Sequence, residues 1–221
     1  YPAAQAIWAD VERIVGAEVD LVVLNRAYAP LVFTTLSSGI TLALKDRRLY
    51  LRLLTKTFYE ALDFWEFTRD FWRIRERSRS LSPEDRDDLV RHLVFLENEF
   101  VDLARFREVS QQTYTHDRDT KRTVERWVEN LVMATLDIAK IVLSADKKDV
   151  PNSYRDTLRA IGLHYFDESF AETLSTFADL RNIVAHEYLD LRWKRIRQFM
   201  EAAQIVYPRF TAKIKEIAGG A

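Results

Sequence analysis

The residues of this chain best suited to chemistry lie in the stretch 181–186, which reads R-N-I-V-A-H. Arg181 offers a permanent charge and a planar set of N–H donors that match phosphate oxygens. His186 can give or take a proton near neutral pH. Because the 2′-hydroxyl of RNA is an internal nucleophile, one cation and one proton-transfer group can cleave its phosphodiester bond without a metal. The spacing alone equally fits a helix cap and a surface histidine.

The element that must position this pair is a predicted helix with a stripe of apolar residues at 170, 174, 177 and 180. A helix that continues through the stretch separates positions 181 and 186 by about 140° around its axis. We therefore expect a break near 184–187, which lets Arg181 and His186 face one cleft.

Composition limits the classes of protein that the chain can be. It has 221 residues, 48% hydrophobic and 30% charged, with only five Gly and five Pro, which favours long helices over sheet. The absence of cysteine rules out disulfides and thiolate sites and favours a reducing cytoplasm. A net charge of −1 argues against a generally basic surface but allows a local basic cleft. We expect no transmembrane span and no signal peptide.

The second half of the chain predicts an up-and-down bundle of five amphipathic helices over 84–221. Ser82-Pro83 is a strong helix start, Asp117 or Asp119 can cap the second helix, and 151–153 opens a third that ends near Gly162. The first half predicts a small α/β segment over 1–78. Its elements are strands at 17–24 and 40–44, a short helix at 30–38, and a long helix from Asp46 to about Arg77. Residues 79–83 form the predicted linker.

Ordered motifs in the second half carry a family resemblance. They read L-V-F-L-E at 93–97, D-R-x-x-x-R-x-V-E-R at 117–126, D-I-A at 137–139, P-x-S-Y at 151–154 and R-N-x-x-A-H-E-Y at 181–188. Over about 86–217 the chain resembles the HEPN toxins of the HEPN/MNT toxin–antitoxin systems, whose signature is R-x4-H-x-Y. The resemblance implies a metal-independent endoribonuclease with Arg181 and His186 as the catalytic pair and Asn182 lining the cleft. It also implies a homodimer whose two protomers form that cleft, and no cofactor.

Tyr188 matches the motif tyrosine of these toxins. In such systems an MNT nucleotidyltransferase antitoxin can transfer AMP to a tyrosine of this kind. An anion attached beside Arg181 would neutralise it and fill the groove. The structural alternative is that Tyr188 only packs one helix on the next.

The first half resembles the latter part of the MNT nucleotidyltransferases. Asp20 matches their third metal-binding carboxylate, but the family's Gly-Ser turn and its paired Asp-x-Asp carboxylates should lie upstream of it, and the sequence contains no Gly-Ser dipeptide. One aspartate cannot hold two Mg²⁺ ions. Mg and ATP are therefore expected only if a complete nucleotidyltransferase lies upstream.

Other polar residues allow two interpretations each. Glu125 and Asp137 either line the cleft or form salt bridges, within their helix or across a dimer. His92, His116 and His164 share no metal-ligand spacing, so no zinc site is expected.

Three functional hypotheses follow. The first is an RNA-cleaving toxin of the cytoplasm, acting on an RNA such as tRNA or mRNA and restrained by an MNT antitoxin in cis or in trans. The second is a non-catalytic helical module for nucleotide binding or dimerisation, which would form an intact dimer that cleaves nothing. The third is a nucleotidyltransferase whose catalytic front half is missing from this chain; upstream sequence with the Gly-Ser turn and two acids would identify it.

Overall fold

The computed structural model describes residues 2–24, 27–77, 81–149, 151–186 and 189–219, and side chains over 6–24, 27–75, 81–149, 151–180 and 192–219. All regular elements within those ranges are helices, as the composition predicts. They are α1 (Pro2–Val15), α2 (Ala29–Ser38), α3 (Arg47–Arg77), α4 (Pro83–Val101), α5 (Leu103–Arg107), α6 (Gln111–His116), α7 (Arg118–Ala145), α8 (Tyr154–Tyr165), α9 (Glu168–His186) and α10 (Leu189–Gly219).

The chain divides into two compact units, Tyr1–Glu66 and Phe67–Ala221, and the division falls within α3. The predicted linker at 79–83 comes later in the chain, and its residues 79 and 80 lie outside the described residues. In the first unit, α2 packs on the first part of α3 through aromatic rings. Phe33 lies with its ring centroid 5.4 Å from that of Phe58 and 5.9 Å from that of Trp65.

The two strands predicted for the first unit are wrong. Neither 17–23 nor 40–44 is a strand in the structure. Ile40 and Leu42 are 89% and 93% exposed, and Val22 and Val23 are also exposed. A strand is stable only when another strand satisfies its backbone groups, and none is present in the described part of the chain. The expected α/β remnant is therefore helical here, while the short helix before Gly39 and the long helix after Asp46 are confirmed.

Local capping explains why the predicted helix starts are correct. The Asp46 carboxylate accepts from the backbone N–H groups of residues 48 and 49 at 2.9 Å each. The hydroxyls of Ser82 and Ser153 accept from the third residue beyond each, both at 3.1 Å. Asp117 accepts at 3.0 Å from the N–H of Asp119. Each cap satisfies a backbone donor that would otherwise lack a partner.

The second unit contains the five long helices predicted for it, α4, α7, α8, α9 and α10, plus the short α5 and α6 between α4 and α7. Helix α7 supplies much of the core, with fifteen buried residues. Helices α9 and α10 run antiparallel, because the start of α9 lies beside Arg209 while its middle packs on Phe199. The end of α9 and the start of α10 therefore lie at the same end of the bundle.

Candidate active site

Helix α9 runs from Glu168 to His186, so Arg181, Asn182 and His186 all lie in its last turns. The break predicted near 184–187 does not occur before His186, because α9 continues as a helix to that residue. Residues 187 and 188 lie outside the described residues. Positions 182 and 186 are one turn apart, while 181 and 186 are about 140° apart around the axis. The side chains of 181–186, and Tyr188 altogether, lie outside the described residues. Their convergence in one cleft stays a prediction.

The first turn of α10 is held by a buried polar cluster, here called the Glu125 cluster: Tyr114 of α6, Glu125 of α7, and Arg192 and Trp193 of α10. One carboxylate oxygen of Glu125 accepts from the Tyr114 hydroxyl at 2.7 Å and from Arg192 Nη1 at 2.9 Å. The Arg192 and Glu125 side chains are only 14% and 15% exposed. The Tyr114 ring stacks on Trp193 with centroids 4.6 Å apart.

Burial keeps the Tyr114 hydroxyl of this cluster protonated. Desolvation, and then the hydrogen bond to Glu125, raises the pKa of Tyr114 above its ordinary range. Tyr114 therefore stays neutral at physiological pH, and its hydroxyl donates a hydrogen bond to Glu125. Glu125 forms a salt bridge, but this bridge joins α7 to α10 of the same chain, rather than lying within one helix or across a dimer as predicted.

Asp179 is a residue that the sequence analysis did not single out. Its carboxylate lies 2.5 Å from Arg155 Nη1 of α8, and burial raises its pKa although Arg155 and Arg195 both lower it. Positions 179 and 186 of α9 differ by about 20° around the helix axis, two turns apart. The sequence feature that could have identified Asp179 is an acidic residue two positions before Arg181 in an otherwise apolar stretch of helix. Asp179 attracts Arg155 of α8 and Arg195 of α10 toward the face of α9 that contains position 186.

The end of the bundle at which α10 begins is basic, although the whole chain is not. Residues 192–197 contain four Lys or Arg and no acid, and residues 103–126 contain six against four. Arg197 Nη1 donates at 2.7 Å to the carbonyl of Arg107, which ties the two segments together. A groove of about 370 Å³ beside them is lined by three exposed arginines, Arg105, Arg122 and Arg126, and by two acidic residues, Glu99 and Asp102. Such a local excess of cations suits a phosphate backbone.

Asp137 lies further along α7 and forms an intrahelical salt bridge, which is one of the predicted alternatives. Its carboxylate contacts Lys140 Nζ at 2.9 Å and His92 Nδ1 at 3.9 Å. His164 lies 3.1 Å from Asp146. Among the described side chains, no three His, Cys, Asp or Glu residues group closely enough to hold a metal ion.

Asp20, the predicted vestige of a nucleotidyltransferase metal site, is exposed in the first unit. It borders an open depression of about 710 Å³ together with Glu12 and Glu18. The N–H of Val19 donates to Glu12 at 3.2 Å, which holds this segment against α1. None of the helices in the described ranges is long and apolar enough to cross a membrane.

Comparison with known proteins gives one match. A family model described as Ribonuclease HepT-like matches residues 96–217, more than half of the 221 residues. The matched region extends from the second half of α4 to the last turn of α10 and includes the stretch 181–188. No curated protein and no solved structure matches the chain significantly.

Proposed function

The chain belongs to the HepT-like ribonuclease family, and from that premise we propose that it is a metal-independent endoribonuclease with Arg181 and His186 as its catalytic pair. The match of the family model over 96–217 is the observation that carries the proposal. The basic end of the bundle supports it, because that end lies at the junction of α9 and α10.

The proposed reaction needs only groups of the chain and of the RNA. The 2′-oxygen attacks the adjacent phosphorus while its proton passes to a neutral His186. The bond from phosphorus to the 5′-oxygen then breaks, and the same proton is returned to that leaving oxygen. The products are a 2′,3′-cyclic phosphate and a 5′-hydroxyl end. Arg181 stabilises the charge on the non-bridging oxygens as the phosphorane forms.

A homodimer is part of the proposal. Since one continuous helix places positions 181 and 186 about 140° apart, a second copy can supply the residue that a single protomer does not align. A mixing experiment tests this. The variants Arg181→Gln and His186→Ala should each lose nearly all activity, but a mixed dimer contains one intact composite site if the two residues come from different protomers. Recovery of a measurable fraction of wild-type cleavage on mixing supports a composite site, and no recovery shows that each site lies within one protomer.

We further propose that an MNT nucleotidyltransferase antitoxin, in cis or in trans, silences the enzyme by transferring AMP to Tyr188. The added phosphate would neutralise Arg181 and block RNA by charge and bulk. Mass spectrometry of protein purified from cells tests this by the mass of one AMP unit on the peptide that contains Tyr188. An unmodified peptide from cells that contain the antitoxin would count against it.

The test of the activity is incubation of the purified protein with total RNA and with tRNA in EDTA. Arg181→Gln and His186→Ala should each lower the cleavage rate by about 100-fold or more. His164→Ala is the matched control, since His164 pairs with Asp146 after the C-terminal end of α7, away from the basic end where α7 begins. Cleavage that requires Mg²⁺ contradicts the mechanism. RNA that binds without being cut favours the non-catalytic module.

A further inference from the structure

We infer that Glu125 is a positioning residue of the proposed ribonuclease: the Glu125 cluster fixes the first turn of α10 and thereby sets the position of His186. This inference rests on the proposed function. Three helices meet at a single carboxylate oxygen, since Tyr114 comes from α6, Glu125 from α7 and Arg192 from α10.

The cluster lies close to the proposed catalytic residue along the chain. Only five residues separate His186 from Arg192. Helix α9 ends at His186 and α10 begins at Leu189. Because so short a connection reaches only about 10 Å, a bond that fixes the start of α10 also limits where the end of α9 can lie. A small displacement of the first turn of α10 should therefore also displace His186.

The chemical nature of the cluster favours positioning over simple stability. Apolar contacts at a helix interface have little directional preference, whereas hydrogen bonds to a carboxylate demand defined distances and angles. Burying an ion pair brings little net stability, because the desolvation of both charges offsets their attraction. Removing only Glu125 would leave the Arg192 charge buried without this partner. A buried ion pair of this kind is expected where the exact placement of a helix matters more than a gain in the free energy of unfolding.

Trp193 adds a second constraint at the same place. It is 6% exposed, and its stacking on the fully buried Tyr114 ring sets the rotation of α10 about its own axis. Arg192 and Trp193 are consecutive residues, so they hold α10 in two directions at once. The first turn of α10 therefore has one position relative to α6 and α7.

The test compares Glu125→Gln with Asp137→Asn, a matched carboxylate-to-amide change on the same helix. Asp137 contacts α4 and its own helix but not α10. Glu125→Gln should lower kcat for RNA cleavage about tenfold with the KM for RNA unchanged, because a small misplacement of a reacting group slows chemistry steeply. Asp137→Asn should leave both constants near the wild-type values. Tyr114→Phe, which keeps the ring stack and removes one hydrogen bond, should show a smaller loss of kcat in the same direction.

Hydrogen exchange of the backbone gives a readout that does not depend on activity. In Glu125→Gln the amides of 181–191 should exchange about tenfold faster than in Asp137→Asn, while those of 127–145 stay protected. If wild-type protein cleaves no RNA but this difference in exchange appears, the proposed function fails and the positioning device stands. If Glu125→Gln matches Asp137→Asn in both kcat and exchange, the inference is overturned. A rise in KM as large as the fall in kcat would also overturn the inference, because it would assign Glu125 to RNA binding.

Discussion

Replacing Gly162 with alanine should disturb the proposed ribonuclease site from a distance, through the packing of α8 on α9. Gly162 is buried in α8. A Cβ atom built there would lie 2.5 Å from the Cα and 2.7 Å from the Cβ of Ala171 in α9. Both of those atoms belong to a rigid part of the helix, so no side-chain rotation can relieve the contact. The two helices must move apart.

The size of the effect follows from these distances. Two carbons prefer a separation of about 3.5–4.0 Å, so α9 must move by about 1 Å. Overpacking of this kind costs about 1–3 kcal/mol, while alanine in place of glycine within a helix returns about 1 kcal/mol. The net loss of unfolding free energy is then about 0–2 kcal/mol, and the melting temperature falls by roughly 2–4 °C for each kcal/mol. Because α9 holds Arg181 and His186, a shift of about 1 Å can slow cleavage by up to ~100-fold.

Thermal unfolding and RNA cleavage, measured on the same samples, test the prediction. Gly219→Ala is the control, because nothing lies within 4 Å of a Cβ at that position. Adding Ala171→Gly to Gly162→Ala should restore only part of the activity, since the contact with the Cα of residue 171 remains. Cleavage and melting equal to those of Gly219→Ala would refute the argument.

Three further results are expected. Burial raises the pKa values of Tyr114, Tyr165 and Tyr207 above the ordinary value near 10. Folding therefore favours the protonated phenols. Below pH 10 these groups should leave the free energy of unfolding unchanged, and above pH 10 that free energy should fall as pH rises. Urea titrations at pH 8–11 measure this, and a flat profile contradicts it. Ser82→Ala should cost about 1 kcal/mol in urea unfolding through loss of the α4 cap, and no change in the midpoint would count against the cap. Leu131→Ala, at a fully buried position of α7, should cost about 2–5 kcal/mol, more than Ser82→Ala in the same assay.

The helices of the second unit could be predicted because their signals are local. Ser82, Asp117 and Ser153 each cap a helix through atoms only two or three residues away. Apolar stripes at helical spacing then identify the buried faces. The strands predicted at 17–24 and 40–44 failed for the opposite reason. A strand depends on a partner elsewhere, and β-branched residues cannot show whether that partner exists.

Gly162 shows how one residue type can mislead. A glycine after an apolar stripe suggested the end of α8, but the helix continues to Tyr165. Glycine is there because α9 comes too close to allow a side chain, which is a property of the tertiary structure. The Glu125 cluster was beyond sequence reasoning in the same way. Tyr114 and Arg192 are far apart in the chain, and nothing local assigns them to one carboxylate.

Two ion pairs toward opposite ends of α10 differ in exposure: Arg209 pairs with Asp167, just before α9, and Arg192 pairs with Glu125 of α7. Asp167 and Arg209 at one end are 57% and 52% exposed, whereas Arg192 and Glu125 at the other are nearly enclosed. Dissolved ions screen the first pair strongly and the second weakly. Raising the salt concentration should thus weaken the Asp167–Arg209 pair and the binding of a polyanion. The Arg192–Glu125 pair, and with it the alignment of the reacting groups, should change little. Ionic strength becomes a means of separating how tightly the protein holds its substrate from how fast it acts on what it holds.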